Sequence, residues 1–345
     1  MGDRSKIEWT DATWNPIVGC SRVSPGCDHC YAIGVVHRQM SEQHRGLTVV
    51  TDDGVDWNGK INVVEHLLDQ PLRWRKPRRI FVNSLSDLFH PDVDIATIAR
   101  VFAVMAEAQH HTFQVLTKRP QRMAAVLADV NFWGHFWASG IHDRTGLHVG
   151  NIPFPNIHLG VSIESNRYAF RADHLRDTPA AVRWVSAEPL LGPLDQLDLT
   201  GIDWVVTGGE SGPGSRPMHP DWVRHLRDCC HPEPFDVTDP VLDAPDSAVI
   251  DLNGTTFERV GDQWQPRSGP AFHFKQWGDW MPYADALDVL GHDDDVFRRA
   301  QREAEAGCLS VVNMIDPTDP GAMIRVGKKL AGRVLDGRTW DEYPT

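Results

Sequence analysis

The sequence predicts an α/β protein: a partial or complete parallel (β/α) barrel with inserted loops, one domain over residues 1–345. Two observations carry the barrel. Runs rich in β-branched and aromatic residues alternate with segments of helical apolar spacing, which implies a parallel sheet with right-handed crossovers. The strand runs are almost continuously apolar, as in a sheet buried on both faces. A third observation places the chemistry. Polar residues recur just after the strand ends, and in a barrel those ends share one rim. An open doubly wound sheet is the alternative, with ligands at a switch point instead of around a ring.

Residues 1–11 are polar and irregular. Ala12 to Val18 reads as a first strand running into a loop, and Cys30 to Met40 as a helix leaving it. Residues 41–62 hold Gly, Asp and Asn with few periodic apolars, so they read as a loop or insertion. Arg79 to Leu85 is a strand, and Asp94 to Gln109 a helix opened by a capping Asp. Thr112 to Thr117 is the next strand, and Pro120 starts a helix to Ala128. Asn131 to Pro155, rich in Gly, His, Trp and Pro, reads as an insertion on one face. Ile157 to Ile163 is a strand, Asn166 to Asp177 a helix, and Val182 to Ser186 a strand before Glu188-Pro189. Ile202 to Thr207 is a strand ending in Gly208-Gly209-Glu210-Ser211-Gly212, followed by a helix over Pro220 to Cys230. Ala271 to Gln276 is the last strand. The insertions are placed at 41–60, 131–155 and 231–270, and a C-terminal extension at 285–345.

The chain is organised around Thr13 to Tyr31, TWNPIVGCSRVSPGCDHCY, which holds half of the six cysteines with the spacing C-x6-C-x2-C. Gly and Pro set the turns, and thiolates are soft ligands for zinc or an iron–sulfur cluster. Cys20, Cys27 and Cys30 are the metal ligands. Three ligands on a cubane cluster leave one iron free for substrate or cofactor. A structural zinc site needs a fourth ligand, from His29, His37 or a distant His. Both readings fit the spacing. Cys229, Cys230 and Cys308 read as buried or incidental thiols.

The formal net charge of −13 argues against coating nucleic acid through bulk charge. Two local basic clusters remain: Arg73, Arg75, Lys76, Arg78 and Arg79, and then Lys118, Arg119 and Arg122. Neither a run of roughly 20 apolar residues nor a signal-type h-region is present. The expectation is a soluble, cytoplasmic protein with reduced thiols, which disfavours disulfides.

Eight stretches together resemble the phage Gp37/Gp68 family, or three-Cys-motif proteins, a domain of unknown function. They are TWNPIVGCSRVSPGCDHCYA, FVNSLSDLFH, FQVLTKRP, LGVSIES, WVSAEPLLGP, WVVTGGESGPGSRPM, FKQWG and GKKLAGRVLDGRTWDEYP, and the likeness runs from residue 9 to 344. That family is similar to radical S-adenosylmethionine enzymes, whose usual spacing is C-x3-C-x2-C; here the first gap is three residues longer. The resemblance implies a [4Fe–4S] cluster on the three cysteines and S-adenosylmethionine on the open iron. It also implies a separate partner protein encoded nearby and, with the Arg cluster, a nucleic-acid or nucleotide-derived substrate.

Cofactor-binding candidates follow from the same resemblance and from the strand ends. Ser84, Ser86 and Asp87 follow the second strand, where that superfamily binds the methionine amino group, and a carboxylate suits an ammonium. Ser162 and Glu164 follow the fourth strand and could reach ribose hydroxyls. Gly208 and Gly209 permit close backbone approach, and Glu210 could bind a cation, a ribose or an amine. A carboxylate placed there needs a positive or hydrogen-donating partner. Asp87 also reads as a helix cap, Ser162 as a packed strand end and Glu210 as a Glu on a tight turn. Glu188, Lys118, Arg119, Lys275 and Trp277 complete the rim set. Three functions stay open: a radical enzyme, a zinc-binding interaction module, and an iron–sulfur protein that only carries electrons or senses redox state.

Overall fold

The computed structural model describes residues 5–39, 41–236, 249–252, 255–260, 263–283, 285–286, 311–312 and 322–344. Its main sheet has seven strands: β1 (Ala12–Trp14), β2 (Arg79–Val82), β3 (Thr112–Thr117), β4 (Ile157–Ser162), β5 (Val182–Ala187), β6 (Trp204–Gly208) and β7 (Ala271–Gln276). They lie in chain order from β1 to β7. Pairing is parallel at β1–β2, β2–β3, β3–β4 and β6–β7. An order without reversal has no switch point. This is the connectivity of a partial (β/α) barrel, and the doubly wound alternative falls. The chain divides into two compact units, residues 1–162 with 170–185, and residues 163–169 with 186–345.

The first unit carries α1 (Tyr31–Arg38), α2 (Ile95–Glu107), α3 (Pro120–Ala128), α4 (Val130–Ala138), α5 (Ile141–Thr145) and α6 (Arg171–Arg176). Both faces of its inner strands are buried: Ile80, Phe81 and Val82 in β2, and Phe113, Gln114 and Val115 in β3. That burial is why these runs read as continuous apolar stretches. Helix α2 starts where Asp94 Oδ1 accepts from the Thr97 amide at 2.7 Å, and it buries Ile98, Val101, Phe102 and Met105. Phe102 meets Phe132 of α4 edge to face, with ring centroids 5.4 Å apart, a geometry worth about 0.5–1.5 kcal/mol beyond the area it buries.

The structure is more regular than the sequence suggests in two places. Within 41–60, Thr48–Thr51 and Gly54–Trp57 form an antiparallel hairpin. Its two-residue turn is followed by Gly54 at φ +119°, a backbone that favours glycine. Within 131–155, Asp129 caps α4 through the Asn131 amide, and Phe132 and Phe136, four residues apart, are buried. The first expected strand is instead interrupted. Pro16 has no amide to donate, and Ile17–Val18 pair antiparallel with Asn62–Val63. Strand β2 stops at Val82 because Asn83 turns into the left-handed region at φ 60°.

The second unit holds β6, β7 and α7 (Pro220–Cys230). Its part of 231–270 is an antiparallel sheet in which Thr255–Val260 pairs with Val249–Leu252 and with Gln263–Ser268. Past β7, Trp280–Pro282 pairs with Met323–Arg325, so Ala271–Gln276 is not the last strand. Residues 340–342 run along the outer edge of β7. The Phe274 amide donates to Trp340 O at 3.0 Å, the Glu342 amide to Phe272 O at 3.3 Å, and Trp204 Nε1 to Glu342 O at 2.9 Å. An edge covered in this way cannot pair with another chain. Cys229 and Cys230 are free thiols; Cys308 and most of 285–320 lie outside the described residues. Among the described residues no helix is long and apolar enough to cross a membrane.

Candidate functional site

The cysteine loop is fastened at both ends within the first unit. Gly19 enters it at φ +100°, and a Cβ there would fall 2.2 Å from Lys60 O, so only glycine fits. Its amide donates to Leu85 O at 3.2 Å. Asn15 Oδ1 accepts from Ser84 Oγ at 3.1 Å and from the Leu85 amide at 3.0 Å, and Ser86 Oγ donates to Ile17 O at 2.8 Å. From the far side, Tyr31 Oη donates to Ser84 O at 2.8 Å. The turn Pro25–Cys27 and the start of α1 at Tyr31, capped by Cys30, set the other two cysteines. All three thiols are free and half-buried. Cys20 and Cys30 rest on a small core of Val18, Ile33, Val36, Leu47, Trp57 and Leu85, to which the hairpin contributes Trp57.

Behind the loop stands a buried ion pair. Asp87 is 6% exposed. Its Oδ1 accepts from the Phe89 amide at 2.9 Å and Thr117 Oγ1 at 2.7 Å, and its Oδ2 from Arg119 Nη1 at 2.8 Å and the Lys118 amide at 3.2 Å. Arg119 then reaches into the loop. Nη1 lies 3.9 Å from Cys20 Sγ, and Nη2 donates to Ser21 O at 3.0 Å and to Ser21 Oγ at 2.9 Å. Ser21 Oγ is also 2.8 Å from His90 Nε2. Because His90 Nδ1 accepts from the Asp92 amide at 3.2 Å, the neutral ring carries its proton on Nε2 and donates it to Ser21. That tautomer cannot take a proton from Ser21, so the pair is a fastening and not an activated nucleophile.

Burial pushes the Cys20 thiol up to about 12, with the Asp87 charge adding to the rise and Arg119 opposing it. Burial also raises Cys30; the Cys27 charge adds to it and Lys118 opposes it. The thiols therefore lie within one another's field. Among the described residues no group of three or more His, Cys, Asp or Glu side chains is already arranged to hold a metal ion. Burial thus favours the neutral, protonated form of Cys20 and Cys30, and a metal would displace their protons.

The second unit gathers its own strand ends. Lys275 of β7 pairs with Glu188. Gly209 donates its amide to Gln276 O at 2.8 Å, and a Cβ on Gly209 would fall 2.0 Å from Trp277 O. At Gly208 a Cβ would meet Glu188 Cδ at 3.6 Å. Glu210 is 6% exposed and is gripped by Arg216: Nη2 to Oε1 at 2.6 Å, Nε to Oε2 at 3.0 Å, and the Arg216 amide to Oε2 at 2.9 Å.

Cys20, Cys27, Cys30, Ser84, Ser86, Asp87 and Ser162 thus belong to the first unit, and Glu164, Gly208, Gly209 and Glu210 to the second. Arg119 joins Asp87 to Cys20, Ser86 fastens the Ile17 backbone, and Ser84 bonds the Asn15 side chain. Ser162 is buried and its carbonyl accepts from Arg171 Nη1 at 2.7 Å. Glu164 is buried, and its carbonyl accepts from the Leu191 amide at 2.8 Å. Sequence reasoning passed over Asn15, Ser21 and His90. The one signal for them was their place beside the cysteines or inside FVNSLSDLFH, with no periodic position to explain them.

A family model described as "Protein of unknown function (DUF5131)" matches residues 4–236 and 257–344. It runs through 41–60 and 131–155 and leaves out 237–256, within the 231–270 region. No curated protein and no solved structure matches the chain.

Proposed function

We propose that this chain, which belongs to the DUF5131 family, holds an iron–sulfur cluster on Cys20, Cys27 and Cys30 and uses it in chemistry of the radical S-adenosylmethionine type. The substrate is nucleic acid or nucleotide-derived. The carrying observation is that three free thiols share one loop whose backbone is pinned to the ends of β1 and β2. The donor set suits the group: soft thiols, three in number, fit a four-iron cluster with one iron left over. The likeness of the chain's motifs to the phage Gp37/Gp68 proteins supports the same reading. When bound, such a cluster supplies the electron for reductive cleavage of S-adenosylmethionine and hydrogen abstraction from a substrate.

The chain's own residues do the positioning. Asp87 accepts four hydrogen bonds and orients Arg119. Arg119 sets a fixed positive charge beside Cys20 and locks the Ser21 backbone. A cation there offsets the negative charge that thiolate ligands bring. In this reading Ser84, Ser86 and Asp87 shape the loop, and the cofactor's polar groups are met by other donors.

Anaerobic reconstitution with ferrous iron and sulfide, followed by assay for 5′-deoxyadenosine, tests the proposal. It expects a brown protein with about four irons per chain and cleavage of S-adenosylmethionine. A colourless protein that takes up one zinc in place of iron would make the loop a structural zinc site. A brown protein without cleavage would make it an electron carrier.

A further inference from the structure

The two ends of the first unit's sheet carry different chemistry. The cysteine loop follows β1 and is pinned to the turn that follows β2. The basic segment Arg73 to Arg79 enters β2 from the other end, because Arg79 is that strand's first residue. The four residues of β2, at about 3.3 Å each, put about 13 Å of sheet between the two. Both lie in the first unit. The basic segment therefore stands on the rim opposite to the thiols, and its cations do not line the thiol site. In barrels that opposite rim does not carry the chemistry.

The segment's backbone is fastened, and part of its charge is left over. The Thr112 amide donates to Arg78 O at 2.9 Å and the Asp11 amide to Arg79 O at 2.9 Å. His110 Nε2 lies 2.7 Å from Trp74 O. The Arg78 guanidinium sits over the Trp74 ring, 4.8 Å from its centroid. Arg73 is taken up by Asp69, and Arg79 by Asp11. Arg75 and Lys76 are exposed and have no carboxylate partner among the described residues. Beside them, Lys6, Lys76 and Arg78 line an open cavity of about 560 Å³, whose wall also holds Glu8 and Asp11. Residues 5–11 and 69–79 together hold six Lys and Arg against three Asp and Glu, in a chain whose net charge is −13. The sign of the charge is reversed at this end.

We infer that this end of the sheet is a docking surface for the phosphate backbone of a polynucleotide, so that the nucleic acid of the function proposed above is a polymer and not a free nucleotide. The inference deepens that function and rests on it for the identity of the polyanion. Arginine's planar fork matches two oxygens of a phosphate, and a backbone already held in place spares the cost of ordering it on binding. The cations come from two segments, Lys6 on one and Arg75, Lys76 and Arg78 on the other, and so serve successive phosphates. A free nucleotide carries its phosphate at one end only. A membrane surface would need an apolar face to bury, and Leu72 is the one exposed large hydrophobic residue in 69–79. Phosphate contacts position a strand without reading its bases.

Fluorescence anisotropy with labelled single-stranded RNA and DNA of one mixed sequence, on full-length protein before iron loading, tests this. UMP serves as competitor, and phosphatidylserine vesicles are run in a parallel sedimentation assay. Both strands should bind, and a large excess of UMP should not displace them. Arg75→Gln combined with Lys76→Gln should weaken binding tenfold or more at low salt with Tm unchanged. At about 0.7 per phosphate contact, it should also reduce the slope of log K against log salt by about 1.4. Lys328→Gln combined with Lys329→Gln removes two exposed cations of the second unit and should change neither quantity. Binding of neither strand, displacement by UMP, an unchanged slope in the first double variant, or an equal loss in the second overturns the inference. Vesicle binding without strand binding also overturns it and makes the patch a membrane surface. Failure to load iron counts against the cluster alone, because these titrations do not require it.

Discussion

Each unit places a buried carboxylate at a strand end and gives it an arginine, and the two pairs have different reach. In the first unit Asp87 follows β2 while Arg119 follows β3, and the arginine goes on to Ser21 and Cys20. The pair ties two strand ends to a third segment. In the second unit Glu210 binds Arg216 of its own loop, six residues on. That pair shapes one turn. Side-chain exposures of 12% and 8% for Arg119 and Asp87, against 33% and 5% for Arg216 and Glu210, give the first pair the deeper burial. A carboxylate at a strand end is therefore not by itself a ligand group; its meaning depends on whether its partner arrives from the same loop or from another.

Four measurements break or sharpen this contrast. The largest effect is expected at the thiols. Cys20→Ala, Cys27→Ala or Cys30→Ala should abolish iron uptake and colour after reconstitution, while Cys229→Ala should change neither; bleaching by Cys229→Ala would spread the metal site beyond the first unit. Next, Arg119→Ala leaves a buried carboxylate without its charge partner and should destabilise by about 3–5 kcal/mol in urea unfolding. Arg216→Ala, at a pair one-third open to water on the arginine side, should lose only about 1–3 kcal/mol; equal losses would erase the distinction. Third, Glu210→Gln leaves one oxygen to accept from the Arg216 amide and Nε but sets its NH2 against Nη2, so a loss of about 1–2 kcal/mol is expected with iron content unchanged. Reduced iron content in that variant would connect Glu210 to the cluster.

The smallest effect concerns acid. Burial lowers His158 to about 4 and also lowers His44, His90 and His111, all in the first unit. The unfolded chain binds these protons near pH 6.5, so the stability of the neutral rings is full above that value. It declines as pH falls from about 6.5 toward 4. His158→Gln should flatten that decline in urea titrations between pH 7 and 5, and an unchanged slope would remove His158 from the account.

Elements set by local pattern were legible in the sequence. Asp94 and its periodic apolars gave α2, Pro120 gave α3, and the β-branched runs gave β2 to β7 within a few residues. The cysteine loop was visible from spacing alone. Two kinds of feature were not. The helix α4 was masked by its own aromatics: Phe132 and Phe136 face inward four residues apart, but Trp133, Trp137 and Gly134 between them blur the period. The other kind is partnership. Glu210 was expected to have a positive partner and has Arg216, but nothing in a linear chain says that Asp87 accepts from four donors or that His90 reaches Ser21 across 69 residues. Such bonds depend on which strand ends become neighbours, and a propensity carries no such information.

The cover on β7 has a consequence in time. A ribosome delivers the chain at roughly 5–20 residues per second, so about 3–13 s separate Gln276 from Glu342 as the polypeptide emerges. Throughout that interval β7 lacks its outer neighbour, and the Trp204 indole lacks the carbonyl 138 positions downstream that accepts its proton. All residues of the first unit have emerged by Val185; the second unit keeps an open sheet edge until residues 340–342 arrive. A nascent chain of this protein thus spends its exposed period in the second unit, and that is where a chaperone would be found bound.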